Sequence, residues 1–212
     1  DLGFMLLGMI VEKKSHISLA NYVRKKVFFP LKIDDDLIFN EKIDLSKKRY
    51  YAPTEKCSWR GKVLHGEVHD DNAWAMGGAA GHAGLFGTVK GVAKLVGFIL
   101  DCIQGRAQHP SITNQDLQQA IHKLSDKGTW GLGFDTRSDQ GSSSGHYLSS
   151  TSFGHLGYTG TSFWIDPERD MAIILLTNRV YPTRNNQQIK EFRPVFHDRI
   201  MELLFFSGNY TG

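Results

Sequence analysis

The sequence predicts an α+β fold in which an antiparallel β-sheet is flanked by helices. Helical patterns fill the first part of the chain, strand patterns cluster in the last third, and one further helical pattern follows them. Segregated helices and antiparallel strands with a covering helix are typical of α+β proteins. We expect a single domain over residues 1–212, with a mainly helical part and a long loop at 1–125 and a sheet plus C-terminal helix at 126–212.

Apolar spacing and capping residues predict the helices of the first part. Residues 2–12 are almost continuously apolar and predict a buried helix; because it begins without a methionine, we expect further sequence upstream. Ser18 and Thr88 each stand before a helical pattern as N-caps, and Thr113 opens a capping box. Residues 32–69 follow no single period and predict a long irregular segment with strand-like pieces.

Alternation and apolar runs predict four strands in the last third, at residues 130–134, 153–158, 161–165 and 171–177. The segment from Ser152 to Asn178 is interpreted as a β-hairpin, and its last strand is apolar enough to be buried on both faces. A final helix over residues 192–206 is expected to point four side chains inward, those of Phe196, Ile200, Leu203 and Leu204.

The bulk properties exclude several classes of function. The net charge of +3 is too weak to predict nucleic-acid binding, and the basic run at residues 47–49 is interpreted as a solvated loop. No apolar run reaches the roughly 18 residues of a membrane span. The two cysteines do not decide the redox compartment. No motif implies a cofactor.

The segment Gly154–Thr161 carries unusual residues for a strand. Glycine within a strand often marks a place where a ligand or another backbone comes close, and Gly157 would leave the strand edge open to a substrate. His155 beside it offers a hydrogen bond or a titratable charge. An edge strand with a surface histidine explains the same residues equally well, so these residues alone leave both interpretations open.

A family resemblance favours the first interpretation. The run Phe153–Pro167 resembles the third-motif strand of the penicillin-binding-protein-like serine hydrolases, which include class C β-lactamases, D-alanyl-D-alanine carboxypeptidases and related esterases. That motif is Lys-Thr-Gly in many members and His-x-Gly in others, and here it is His155-Leu156-Gly157. The run Ala83–Thr88 resembles the family's loop before a helix. Asp1 resembles the third residue of its Tyr-x-Asn motif.

The resemblance implies an acyl-enzyme mechanism whose nucleophile is a serine in Ser-x-x-Lys. No serine of this chain is followed by lysine three residues later. We therefore expect the parent protein to be the hydrolase and this portion alone to be inactive. By resemblance the site residues here are His155, Gly157, Tyr158 and Asp1, with the backbone N–H of Tyr158 as one oxyanion donor. A catalytically inactive binding or sensor module of the same fold is the alternative.

Histidine at the motif position alters the expected substrate. Lysine would bind a substrate carboxylate as a permanent cation, whereas histidine has an ordinary pKa of about 6.5 and is mostly neutral at pH 7. His155 therefore tilts the expectation towards esters, amides and peptides, with D-amino-acid peptides and β-lactams still open. Members of the family are often exported, which favours an exported over a cytoplasmic location.

Two other patterns suggest competing chemistry. Residues 141–145 match Gly-x-Ser-x-Gly, but no buried strand precedes them and no helix follows, so a flexible loop is favoured over a nucleophile elbow centred on Ser143. His65, Glu67 and His69 would share one face of a strand and could hold zinc. A hydrogen-bonded loop is the more common meaning of such a string, and neither this group nor His82 is assigned to catalysis.

The expected partner is a small-molecule or peptide substrate, with no nucleic acid and no membrane span. The missing upstream sequence would leave part of the sheet and core uncovered. We therefore also expect self-association through that exposed surface.

Overall fold

The computed structural model describes residues 1–39, 50–125 and 128–206. The described chain is a mixed α/β structure with antiparallel sheets, which confirms the predicted class. The basic run at residues 47–49 lies outside the described residues. The chain divides into two compact units, one made of Asp1–Leu95 with Val180–Asn185 and the other of Val96–Arg179 with Asn186–Gly212.

The described residues of the first unit form three helices, two small sheets and the start of a fourth helix. Its elements are α1 (Leu2–Ser15), α2 (Leu19–Val23), a π-helical turn (Arg24–Phe28), β1 (Leu37–Phe39), β2 (Pro53–Cys57), β3 (Lys62–His65), α3 (Asp71–Ala75) and β4 (Leu85–Gly87), followed by α4 (Val89–Ile103). Strand β1 pairs antiparallel with β4, and β2 pairs antiparallel with β3. One buried cluster centres on Phe28, Ile33 and Leu37.

The predicted caps are confirmed. The Ser18 hydroxyl accepts from the backbone N–H of Asn21, and the Thr88 hydroxyl accepts from that of Gly91. Thr113 forms the full capping box with Asp116 at the start of α5 (Asn114–Ile121). These bonds satisfy the backbone N–H groups that a helix leaves without intrahelical partners.

The prediction that the first helix is buried was wrong. Helix α1 forms, but among its residues only Gly8 is buried, and the side chains of Leu2, Leu6 and Leu7 are more than half exposed. An apolar composition shows that a helix has surface it could bury. Whether that surface is buried depends on which elements pack against the helix. The glycine loop, the run of small residues at positions 77–84, makes one such contact, because a Cβ on Gly81 would overlap the carbonyl oxygen of Phe4. This close backbone contact fixes α1 to the glycine loop.

The second unit contains a four-stranded antiparallel sheet in the order β5-β6-β7-β8. The strands are β5 (Asp135–Thr136), β6 (Phe153–Leu156), β7 (Ser162–Asp166) and β8 (Met171–Leu175), and α6 (Ile189–Met201) continues into a π-helical turn (Glu202–Phe206). Trp164, Ile173, Leu148 and Met201 form the buried cluster, with Phe196 and Ile200 packed against it. Sheet and C-terminal helix therefore share one core, as the sequence predicts.

Several details of this unit differ from the predictions. Residues 152–178 form a meander of three strands rather than a hairpin. Residues 130–134 are not a strand, because Gly133 adopts a positive φ of 97° that a strand cannot contain, and pairing begins at Asp135. Strand β8 is only half-buried at Met171, Ala172 and Ile174.

The inward face of the last helix was also predicted in part wrongly. Leu203 and Leu204 are 70% and 61% exposed. The buried residues of α6 are instead Ile189, Arg193, His197 and Met201, spaced four apart. The buried stripe thus contains two ionisable side chains.

Candidate active site

The candidate motif lies where β6 leaves the sheet. Strand β6 pairs with β7 along its whole length, with His155 opposite Phe163 and Leu156 opposite Ser162. On its other side β5 pairs only with Phe153 and Gly154. Within the described residues the His155 end of β6 therefore has one edge that no strand covers, as the sequence-based interpretation of an accessible strand end requires.

His155 is half-buried and oriented by its own backbone. Its Nδ1 lies 2.9 Å from the carbonyl oxygen of Leu156. A carbonyl only accepts hydrogen bonds, so Nδ1 donates and the neutral imidazole presents Nε2 as an acceptor. The Trp130 ring lies 5.7 Å from the imidazole, centroid to centroid. His155 therefore offers an acceptor beside an aromatic wall.

Gly157 is required by the turn that follows the strand. Its N–H donates to the carbonyl oxygen of Thr161 at 2.7 Å, and a Cβ on Gly157 would overlap Thr161 Oγ1. The group that lies close to Gly157 is therefore Thr161 of the same chain. The turn itself is one reason for a glycine here, beside the expected access of a substrate. Any side chain here would displace Thr161 and distort the end of β6.

Tyr158 is held in place by Arg179, which follows β8 in the sequence. The Arg179 Nε donates to the carbonyl oxygen of Tyr158 at 2.8 Å, and the Arg179 backbone N–H donates to that of Thr159 at 2.8 Å. The guanidinium of Arg179 also lies over the Tyr158 ring, 4.3 Å from its centroid. Such a cation–π contact favours one ring position, although the ring is 60% exposed.

A third side chain reaches the motif from α6. Arg193 Nη2 donates to the carbonyl oxygens of both Gly157 and Thr161, at 2.8 and 2.7 Å. An open cavity of about 400 Å³ adjoins this point, lined in part by Leu156, Lys190 and the two arginines. Strand end, turn and helix thus form one cationic recess within the second unit.

The remaining predicted site residue, Asp1, belongs to the first unit. It is the N-cap position of α1, but its side chain makes no capping hydrogen bond. A carboxylate and an imidazole lie near it, because Asp70 caps α3 through Ala73 N and accepts from His82 Nε2 at 2.8 Å. Burial opposes the charge on Asp70, yet the bonds from Ala73 and His82 lower the pKa of its carboxyl.

Two groups of histidine and carboxylate side chains have the residue types of a metal site. His65, Glu67 and His69 do not converge: their polar atoms bind Tyr51 O, Lys62 and Glu55 respectively. Asp1, Asp70 and His82 place ligand atoms within 4.8 Å of one another, the only such group found in the described ranges. Because Asp70 Oδ1 already accepts two hydrogen bonds from protein groups, we assign no metal to it.

The Gly-x-Ser-x-Gly match is a loop, as favoured by its flanking residues. The Ser143 carbonyl oxygen lies 2.8 Å from His197 Nδ1, and the buried Ser144 hydroxyl lies 2.7 Å from that of Ser142. No strand–turn–helix geometry surrounds Ser143, so it is not placed as a nucleophile elbow.

Sequence reasoning missed the side chains that support the motif. Trp130 lies in a segment predicted as a strand, and no sequence pattern singled out Arg179. Arg193 had a usable signal, because it stands four residues from Ile189 and from His197 on a stripe of buried positions. A charge at such a position predicts a buried hydrogen-bonded group.

In the described residues, no helix is both long and apolar enough to cross a bilayer.

Comparison with known proteins identifies relatives along nearly the whole chain. The family described as Beta-lactamase matches residues 1–193. A Salmonella typhi protein named "Putative D-alanyl-D-alanine carboxypeptidase" is 30% identical over 203 residues, which cover 89% of this chain and 46% of that protein. A protein of the same name from Salmonella heidelberg matches equally. The chain therefore spans about half the length of these curated relatives.

Solved structures share the fold. A β-lactamase from Mycobacterium bovis superposes with a TM-score of 0.64 at 21% identity, covering 95% of this chain and 62% of that one. Simvastatin synthase from Aspergillus terreus superposes with a TM-score of 0.62 at 16% identity, covering 93% of this chain and 54% of that one. At these identities the likeness shows the fold alone.

Proposed function

Because this chain belongs to the Beta-lactamase family, a family of serine hydrolases, we propose that it forms the oxyanion-side wall of an acyl-enzyme active site. The observation that carries the proposal is the end of β6, where His155 lies at a strand edge that no described strand covers and Gly157 and Tyr158 begin the turn that follows. The relatives' printed name suggests a D-alanyl-D-alanine peptide substrate, and esters and amides remain within the proposal.

Each proposed site residue has one role. Gly157 gives the turn its shape, and the N–H of Tyr158 stabilises the oxyanion that forms when a nucleophile attacks a carbonyl. His155 Nε2 accepts from a donor group of the substrate, a role that its Nδ1 bond to Leu156 leaves open. Asp1 lies at the start of α1 as the last residue of the Tyr-x-Asn-like motif.

The nucleophile is proposed to come from a Ser-x-x-Lys segment that these 212 residues do not contain. On this basis the chain alone performs no acyl transfer. A catalytically inactive binding or sensor module is the alternative function. We also retain the single-domain organisation over residues 1–212 as a proposal, together with self-association through exposed apolar surface.

Mass spectrometry after incubation with an activated ester and with a reactive β-lactam tests the proposal. The chain alone is expected to keep its mass, and the longer product of the same gene is expected to gain one acyl group on a Ser-x-x-Lys serine. A stoichiometric adduct on a serine of this chain would refute the assignment of the nucleophile. A longer product without Ser-x-x-Lys, or one that forms no adduct, would favour the binding module.

A further inference from the structure

We propose that Arg193 is a positioning residue that orients and polarises the Gly157–Tyr158 peptide, whose N–H is the oxyanion donor. This inference rests on the proposed function for its catalytic meaning. Its structural content, a guanidinium that bonds the carbonyl of the Gly157–Tyr158 peptide and that of Thr161, stands on the geometry of the second unit alone.

The carbonyl of Gly157 and the N–H of Tyr158 are the two ends of a single planar peptide. Arg193 Nη2 lies 2.8 Å from that carbonyl oxygen. The Gly160 N–H donates to the same oxygen at 3.1 Å, so Arg193 adds a shorter, charged bond to one neutral bond. Because the peptide rotates as a rigid plane, these bonds on the carbonyl also fix where the N–H at the other end points.

The same bond strengthens the donor. A hydrogen bond to a carbonyl draws electron density from the amide nitrogen, so its N–H becomes a better donor, an effect estimated at about 10–30% per bond in condensed phases. Bonds from a charged donor are roughly twice as strong as neutral ones. Arg193 thus prepares the Tyr158 N–H for a developing negative charge before substrate binds.

The position of the guanidinium is costly, which argues against an incidental contact. Arg193 is 6% exposed, and within the described ranges no carboxylate pairs with it. Burial and the positive charge of Arg179 both lower the pKa of Arg193. A buried charge needs hydrogen bonds in place of water, and its Nη2 directs both of its bonds to the carbonyls that begin and end the 157–161 turn.

A merely structural clamp would also bond both carbonyls, so the test must report on the one peptide. Gly157-Tyr158 is the only Gly-Tyr pair in the sequence. Labelling with [1-¹³C]glycine and [¹⁵N]tyrosine therefore gives a single carbonyl-to-amide correlation in NMR, and that signal belongs to this peptide. Its carbonyl shift reports the hydrogen bond, and its amide-proton shift reports the donor.

Four proteins are compared: wild type, Arg193→Lys, Arg193→Met and Arg199→Met. Arg199 lies on the same helix, and its exposed side chain pairs with Glu202, so its replacement is the matched control. The Gly157 carbonyl and Tyr158 amide signals are expected to move upfield in Arg193→Met, to move partly in Arg193→Lys and to stay in the control. Unmoved signals in a folded Arg193 variant would overturn the proposal.

Arg193→Lys keeps a charged donor and provides the measurement if Arg193→Met does not fold. In the longer gene product with an activated ester, Arg193→Lys is expected to lower kcat about tenfold to a hundredfold with KM little changed. An unchanged kcat would overturn the catalytic part. If the wild-type product proves inactive, the proposed function fails, whereas the NMR result still decides whether Arg193 holds this peptide.

Discussion

Arg184 donates two parallel hydrogen bonds to Glu55, from Nε to Oε1 at 3.0 Å and from Nη2 to Oε2 at 2.7 Å, although 129 positions separate the two residues in the sequence. Glu55 is buried, and His69 Nε2 lies 3.0 Å from Oε2 of the same carboxylate. Hydrogen bonding to Arg184, opposed by burial, lowers the pKa of Glu55 to about 2. The first unit is therefore built around a buried carboxylate that depends on one distant cation.

Replacing that cation is expected to destabilise the protein strongly. Arg184→Met leaves the buried Glu55 without its main partner; because the Arg184 side chain is itself 38% exposed, we expect a loss of about 1–3 kcal/mol, below that of a fully buried ion pair. Urea unfolding followed by circular dichroism measures the change.

Arg24→Met supplies the matched control, because Arg24 pairs with Asp34 while its own side chain is 62% exposed. Exposed pairs contribute about 0–1 kcal/mol. Equal losses in the two variants would mean that the Glu55 pair is no more important than a surface contact.

Stability is expected to fall as the medium becomes acidic. Glu55 and His69 both have pKa values below their ordinary ones, the latter because burial disfavours the charged imidazole. The unfolded chain therefore binds more protons than the fold, first at His69 below about pH 6.5 and then at Glu55 between about pH 4.5 and pH 2. The contribution of each group is complete above its unfolded pKa and is lost as the pH falls.

Urea midpoints measured from neutral to acidic pH test this dependence. Glu55→Gln removes one titrating group, so its stability should change less steeply below pH 4.5 than that of the wild type. A wild-type midpoint that rises on acidification, or a variant as steep as the wild type, would contradict the assignment.

The contact between Gly81 and helix α1 is expected to tolerate no side chain. Gly81→Ala places a methyl group against the Phe4 carbonyl oxygen, which is rigid backbone, so we expect a loss of about 1–3 kcal/mol. Thermal unfolding measures this loss of stability against that of Gly3→Ala, a change within helix α1. A Cβ on Gly3 meets nothing within 4 Å, so that change should be neutral or stabilising by up to about 1 kcal/mol. The reverse order would contradict the close packing.

The apolar surface of helix α1 is expected to cause association. Leu6 and Leu7 are 56% and 55% exposed beside several other exposed apolar residues of α1. Contiguous patches of this kind mark interaction surfaces or aggregation sites. Light scattering should show a mass that rises with concentration, and the double change Leu6→Glu and Leu7→Glu should reduce it. A wild-type monomer at all concentrations would count against the proposal.

Interactions between residues only a few positions apart could be predicted from the sequence. The hydroxyls of Ser18, Thr88 and Thr113 cap helices because the N–H groups they accept from lie three positions away in the sequence. The motif at His155 was identified as a pattern of neighbours. The exposure of α1 could not be predicted in the same way, because it depends on which elements lie beside the helix. The burial of Arg193 had one sequence signal, its four-residue spacing from Ile189 and His197. The alternating apolar pattern around Gly133 predicted a strand, whereas the backbone of Gly133 has a positive φ.

The separation of Glu55 from Arg184 also sets an order of events during synthesis. At a translation rate of roughly 5–20 residues per second, the cation emerges about ten seconds after the carboxylate it neutralises. Until then the β2–β3 hairpin carries the Glu55 carboxylate without the Arg184 cation that compensates its burial. The first unit can mature only when the ribosome has also made the whole four-stranded sheet, so a nascent chain stopped before residue 184 would expose that unfinished unit to proteases and chaperones.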